Sequence, residues 1–261
     1  MCSVRSWTGH GDDTDGMNTF HRLAIGAALL AVAMPVAAKA QAGATFDVAA
    51  TTDERRRGLG WSDGDASVSA GVGSRLAGLD VRARVTALRG SARHGGADAV
   101  ADLTIGTGWD LAGLTLRAGA TGHLFAGARG GLDYGEINGD ASYSLGPVQV
   151  EAGVRFAPSQ RAIGGSNLYA FAGANAGIPA TPWTVFASVG RSMGSDDRLR
   201  SDRLRPGGDY TDWRIGVDHV AGPITVGVDY TGTDLSDGAV DPIGDRRNSG
   251  DRVLARVRFD F

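Results

Sequence analysis

Lysine is almost missing from this chain, which holds only Lys39. Cysteine occurs once, as Cys2, upstream of a segment expected to be removed, so the mature chain has no disulfide framework and no thiol chemistry. Histidine after that segment is limited to His94, His123 and His219, with no pair at metal-ligand spacing. Beyond residue 42 no apolar run approaches the about 20 residues that a membrane-crossing helix needs. A formal charge of -3 gives no reason to expect nucleic acid. With 42% hydrophobic residues and so little net charge, the chain does not fit intrinsic disorder.

Glycine is the abundant residue, 41 in all, and it lacks the period of three that marks collagen. At the start, His21 and Arg22 precede an apolar run from Leu23 to Ala38, followed by the small-residue patterns Ala38-Lys39-Ala40 and Ala40-Gln41-Ala42. That order is a secretory signal, expected over residues 17–42 with Met17 as its start. Residues 1–16 are expected to be an extension foreign to the fold, which leaves 43–261 as the folded domain.

From Thr45 onward the pattern repeats every two residues, as strands require when successive side chains face opposite ways. Twelve strands are expected, beginning with 45–57, 66–76, 79–88 and 97–109. Next come 114–125, 132–145, 148–156 and 167–178, and the last four are 183–193, 210–220, 224–231 and 251–261. The segment 148–156 is among the clearest, with Val148, Val150, Ala152, Val154 and Phe156 opposing Gln149, Glu151, Gly153 and Arg155. The segment 167–178 is ambiguous, because Tyr169 and Phe171 share a face with Asn167 and Asn175.

The connections alternate too. Those after even strands are tight, such as Ala77-Gly78 and Gly146-Pro147, while those after odd strands are long and polar, such as 58–65, 89–96, 157–166 and 194–209. A transmembrane barrel sorts its loops this way, and a soluble sandwich has no reason to. The fold class expected is therefore all-β: a single closed transmembrane antiparallel β-barrel of 12 strands, with short periplasmic turns and longer external loops. Trp109, Tyr143, Trp183, Trp213, Phe259 and Phe261 fall toward strand ends, as an aromatic girdle requires. Glycines on the polar faces are expected to relieve crowding inside the curved wall. The last strand, with Val257, Phe259 and Phe261 on its apolar face, looks like the closing strand of bacterial outer-membrane barrels and would be read by the barrel-assembly machinery.

Two stretches carry a family resemblance. Asp53-Glu54-Arg55-Arg56-Arg57-Gly58 followed by Ser62-Asp63-Gly64, and Asp209-Tyr210-Thr211-Asp212-Trp213-Arg214-Ile215-Gly216, resemble motifs of the TorF-type putative porin family. Glu54 stands where that family has tyrosine. The resemblance implies an outer-membrane barrel of channel function spanning 45–261, with no established substrate.

The residues offer little chemistry. A lipid hydrolase needs a nucleophile beside a base, and only His123, near an outer strand end, is placed to meet a serine from a neighbour. No Gly-x-Ser-x-Gly elbow occurs. The acidic loops around Asp196 and Asp234 lack the calcium-loop pattern. No catalytic, cofactor or metal residue is expected, and no enzyme. The lumen says more. Arg82, Arg84, Arg252, Arg256 and Arg258 fall on one side of the ring, and Glu136, Asp140 and Glu151 on the other. Two arrangements are open: a basic wall facing an acidic one, or charges paired across neighbouring strands, with Asp218 and Asp229 taking the arginines of the last strand. The function expected is passive diffusion of small hydrophilic solutes across the bacterial outer membrane, with its lipid as the surround. The alternatives are a closed barrel with a structural or binding role, and a lipid-modifying enzyme.

Overall fold

A computed structural model describes residues 43–195, 203–235 and 248–261. The expected signal segment over 17–42, and most of both acidic loops, lie outside them. Gly43–Phe261 forms one compact unit. Twelve strands close into a single barrel in sequence order: β1 (Ala44–Thr51), β2 (Ser67–Leu76), β3 (Leu79–Ser91), β4 (Ala97–Leu111), β5 (Leu114–Ala126), β6 (Tyr134–Leu145), β7 (Val148–Gln160), β8 (Gly165–Gly177), β9 (Trp183–Gly194), β10 (Tyr210–Ala221), β11 (Ile224–Thr233) and β12 (Arg252–Asp260). Each pairs antiparallel with the next, and β12 returns to β1 with Val48 opposite Phe259 and Ala50 opposite Val257. Closure leaves no free edge, so every strand finds partners on both sides.

The strand period decides which side chains face out. Leu103 and Ile105 of β4 are 50% and 47% exposed, while Asp102 and Thr104 between them turn inward. The same alternation exposes Val253, Val257, Phe259 and Phe261 on β12. A continuous apolar wall of this kind is incompatible with water and fits lipid. Trp109, Tyr143, Trp183, Phe259 and Phe261 sit near the short-turn ends of their strands and are exposed. The short turns follow from their residues. Ala77-Gly78 and Ala112-Gly113 take positive φ at both positions, a primed turn that matches the twist of the flanking strands.

Three boundaries differ from the sequence expectation by three residues or more. β3 continues to Ser91 and β7 to Gln160, each joined to the next strand through one 3-10 turn, Ala92–His94 and Arg161–Ile163. Two connections expected to be long loops are therefore shorter than expected. The larger difference lies after β1, which stops at Thr51 instead of running to Arg57. The five charged residues from Asp53 to Arg57 leave no apolar face for lipid. The chain turns into the barrel mouth there and makes a small hairpin, Arg55–Arg56 against Leu59–Gly60.

The hydrophobic core is not the middle of the barrel. It fills the mouth at the long-loop end, where Leu59 and Trp61 of the hairpin pack against Leu88, Val100, Tyr134 and Tyr210 from the inner wall. Leu204 and Ile163 close over the same cluster.

Candidate functional site

The inserted hairpin is built around Arg57-Gly58, both with positive φ (53° and 74°). Positive φ is uncommon for arginine, and the surroundings hold it there. The Tyr210 hydroxyl donates to the Arg57 carbonyl at 2.9 Å. Gly60 N–H donates to the Asn248 carbonyl at 2.8 Å, and Arg55 Nη1 donates to the Gly250 carbonyl at 2.6 Å. Behind the hairpin, Ser62 ties the loop to itself through Glu54 N–H at 2.9 Å and Asp53 Oδ1 at 3.1 Å.

Its two other arginines cross the lumen. Arg56 Nη2 lies 2.9 Å from Asp102 of β4. Arg57 Nη2 donates to both carboxylate oxygens of Glu136 on β6, at 2.8 and 2.6 Å. Glu136 is buried and its pairing is nearly dry, so removing either partner is expected to cost about 3–5 kcal/mol by stranding the other charge. His123 stands between these carboxylates, with Nδ1 2.7 Å from Asp102 and Nε2 3.5 Å from Glu136. Its ring stacks on Tyr134 at 4.4 Å. The side chain singled out as a possible base therefore meets two carboxylates, and no serine is among the residues found around it.

Below the hairpin a cavity of about 300 Å³ opens in the lumen. It is lined by Arg57, Thr121, His123, Glu136, Arg155, Tyr169 and Phe171. Tyr169 and Phe171 of β8 therefore point inward, which resolves the ambiguous face of that strand, and Leu168, Ala170 and Ala172 take the outer side. Glycines make room for the rings: a Cβ at Gly190 would collide with Tyr169, and one at Gly153 would lie 2.7 Å from Phe171. Each ring in turn carries a guanidinium, Arg57 4.8 Å from the Tyr169 centroid and Arg155 5.0 Å from that of Phe171. Tyr169 donates its hydroxyl to Asp212 at 3.2 Å.

The remaining lumen charges are paired locally. Arg82 and Arg84 both bind Asp47 of β1. Arg256 reaches Asp218 at 2.6 Å and Asp229 at 2.9 Å, and Arg214 shares Asp229. Arg258 pairs with Asp260 at 2.5 Å, and Arg252 lies 3.9 Å from Asp53. Asp140 is shared by Arg155 at 3.4 Å and Arg117 at 3.9 Å, while Glu151 lies beside Gly173 on the inner wall. Of the two arrangements open from the sequence, these contacts describe the paired one. These partners lie within two strands of one another, much closer than the far wall.

Above the hairpin, His94 is enclosed by Trp61 at 4.2 Å and Phe125 at 5.1 Å, and neither ring nitrogen has a hydrogen-bond partner. Burial, and then the nearby Arg203, Arg93 and Arg56, push its pKa well below the usual histidine value. Arg203 lies over the Phe125 ring at 4.6 Å, and burial lowers its own pKa to about 10. Among the described residues no group of three or more His, Cys, Asp or Glu side chains is placed to hold a metal.

Neither of these features was legible in the sequence. The run at 53–57 was expected to continue the first strand, and nothing local said that it would fold inward. His94 and Trp61 carried no signal at all, since their meeting depends on which loops share the mouth.

The comparisons agree with this architecture. Residues 37–256 match the model of a family described as "Bacterial protein of unknown function (Gcw_chp)". No curated protein matches. Among solved structures, the KdgM porin superposes with a TM-score of 0.55 at 7% identity, over 83% of this chain and 99% of that one. The outer membrane protein opdK from Pseudomonas aeruginosa gives 0.43 at 14% identity, over 82% of this chain and 61% of that one. LpxR from Salmonella typhimurium gives 0.42 at 12% identity, over 83% and 99%. The first likeness is one of fold, and the other two are too loose to argue from.

Proposed function

Since the chain belongs to the Gcw_chp family of bacterial proteins of unknown function, we propose its role from its own lumen. It is an outer-membrane channel for passive diffusion of small hydrophilic solutes, narrowed by the hairpin after β1. The observation that carries this reading is the contrast between the two faces of the wall. The outer face is apolar and suited to lipid, while the inner face is lined by charges and holds a polar cavity under the hairpin. A polar lumen of this kind suits water and hydrophilic solutes.

The likeness to TorF-type porins supports the same reading, because its two motifs meet at the constriction. Arg57 of the first accepts the hydroxyl of Tyr210 in the second. The reading assigns no catalysis.

Planar-bilayer recording tests it. The purified barrel is expected to pass a small ohmic current, and replacing 55–60 by a short glycine-serine turn should enlarge the unit step several-fold. Absence of current from both proteins would overturn the channel. A second reading, a binding barrel closed at its mouth, draws on the tight packing of Leu59 and Trp61 and on the carboxylate–guanidinium pairs that bridge the lumen. Current from the shortened protein alone would favour it.

A further inference from the structure

The cavity beneath the hairpin holds more donor capacity than its neighbours use. Arg57 gives Nη2 to both oxygens of Glu136, while its Nη1 is buried without a hydrogen-bond partner. Arg155, across the same cavity, donates Nη1 only to the Val154 carbonyl at 3.1 Å and stands 3.4 Å from Asp140, which also serves Arg117. The lining therefore sets two guanidiniums against one carboxylate. Each guanidinium is laid on an aromatic ring whose place is held by a glycine of the neighbouring strand, so both are oriented before any ligand arrives. A planar guanidinium with unused N–H groups suits a carboxylate, whose two oxygens accept from the fork. Thr121 adds a hydroxyl to the same lining, and the volume of about 300 Å³ is small.

We propose that this cavity is a binding site for small carboxylates, with Arg57 and Arg155 as the two clamps and Thr121 serving a hydroxyl on the ligand. The proposal deepens the channel reading and rests on it for how the ligand reaches the lumen. The anion enters with its carboxylate toward Arg155 and the Arg57 guanidinium, and Glu136 limits affinity by competing for Arg57. A site that binds weakly serves passage, since a solute must also leave.

Calorimetry on the full-length barrel in detergent tests binding apart from conduction, with lactate, its neutral isostere lactamide, and inorganic phosphate as probes. Lactate is expected to bind and lactamide not to, with phosphate at least tenfold weaker than lactate. Arg155→Gln, which leaves the hairpin contacts intact, should weaken lactate at least roughly tenfold through loss of a charge-assisted hydrogen bond. Arg57→Ala should do the same, and Glu136→Gln should strengthen lactate by freeing Arg57. Equal binding of lactate and lactamide, phosphate binding as tightly as lactate, or unchanged lactate binding by Arg155→Gln in a folded barrel would each overturn the site. A barrel that conducts but binds no lactate loses the site and keeps the channel. One that binds lactate without conducting keeps the site and loses the channel.

Discussion

His94 lies between two rings with both of its nitrogens unpaired, and that isolation sets how the mouth responds to acid. In the unfolded chain a histidine takes up its proton near pH 6.5. In the folded mouth, burial and the arginines around it hold that proton off until a much lower pH. Between those two values the unfolded state binds more protons, so stability falls as pH falls, by up to about 1.4 kcal/mol per pH unit. Above pH 6.5 the group contributes no slope. We expect hydrogen exchange in the mouth to speed up between pH 6.5 and 5, and His94→Phe to abolish that part of the pH dependence. An unchanged profile in the variant would assign the acid response elsewhere.

The element that distinguishes this barrel is the hairpin of Arg55–Arg56 and Leu59–Gly60, held inside by the contacts of Arg56, Arg57 and Gly58. Gly58 has φ 74° and faces the inner wall, where a Cβ would collide with Thr233 and lie 2.8 Å from the Cβ of Asp212. Both the backbone conformation and the space require glycine there. Gly58→Val is expected to expel the hairpin while the barrel stays closed. Three consecutive arginines, Arg55, Arg56 and Arg57, would then become accessible, so trypsin should cut the folded variant at that site and leave the parent intact. Resistance of the variant to trypsin would show that the hairpin tolerates the side chain in place.

At the scale of the whole molecule, stability depends on which face of a strand a charge falls on. Ile105, near the middle of β4, is outward and 47% exposed, while Thr104 beside it is inward and meets the Thr121 hydroxyl at 3.0 Å. Ile105→Arg is expected to lower the stability of the lipid-inserted barrel by about 2–4 kcal/mol, as a charge in hydrocarbon does. Thr104→Arg should alter conductance with a smaller effect on stability. Urea titration of both variants in liposomes checks this, and equal losses would argue against the lipid-facing assignment of the outer wall.

How much of this the residues announced depends on the range of the interaction involved. A period of two is a local property, so the strands, their faces and the exposed band of Leu103, Ile105, Val253 and Val257 were legible from residue order alone. The tight turns were legible for the same reason, since Ala-Gly and Gly-Pro steps constrain their own backbone. The run from Asp53 to Arg57 was read as a continuation of the first strand, although five charges leave no face for lipid, and the partners that those charges found were not legible either. Arg57 meets Glu136 and Tyr210, and Arg56 meets Asp102, across separations that only closure of the ring creates, whereas Asp102 and His123 are register partners within the β4–β5 hairpin. The sequence by itself determined a twelve-stranded wall with an apolar outside and a charged inside. Tertiary structure alone decided that the first connection fills the mouth and sends Arg56 and Arg57 across the lumen, while the charges of the wall pair within one or two strands. The reason is physical: side-chain alternation is fixed within a strand, whereas the pairing of buried charges depends on distances of a few ångströms between strands far apart in the chain.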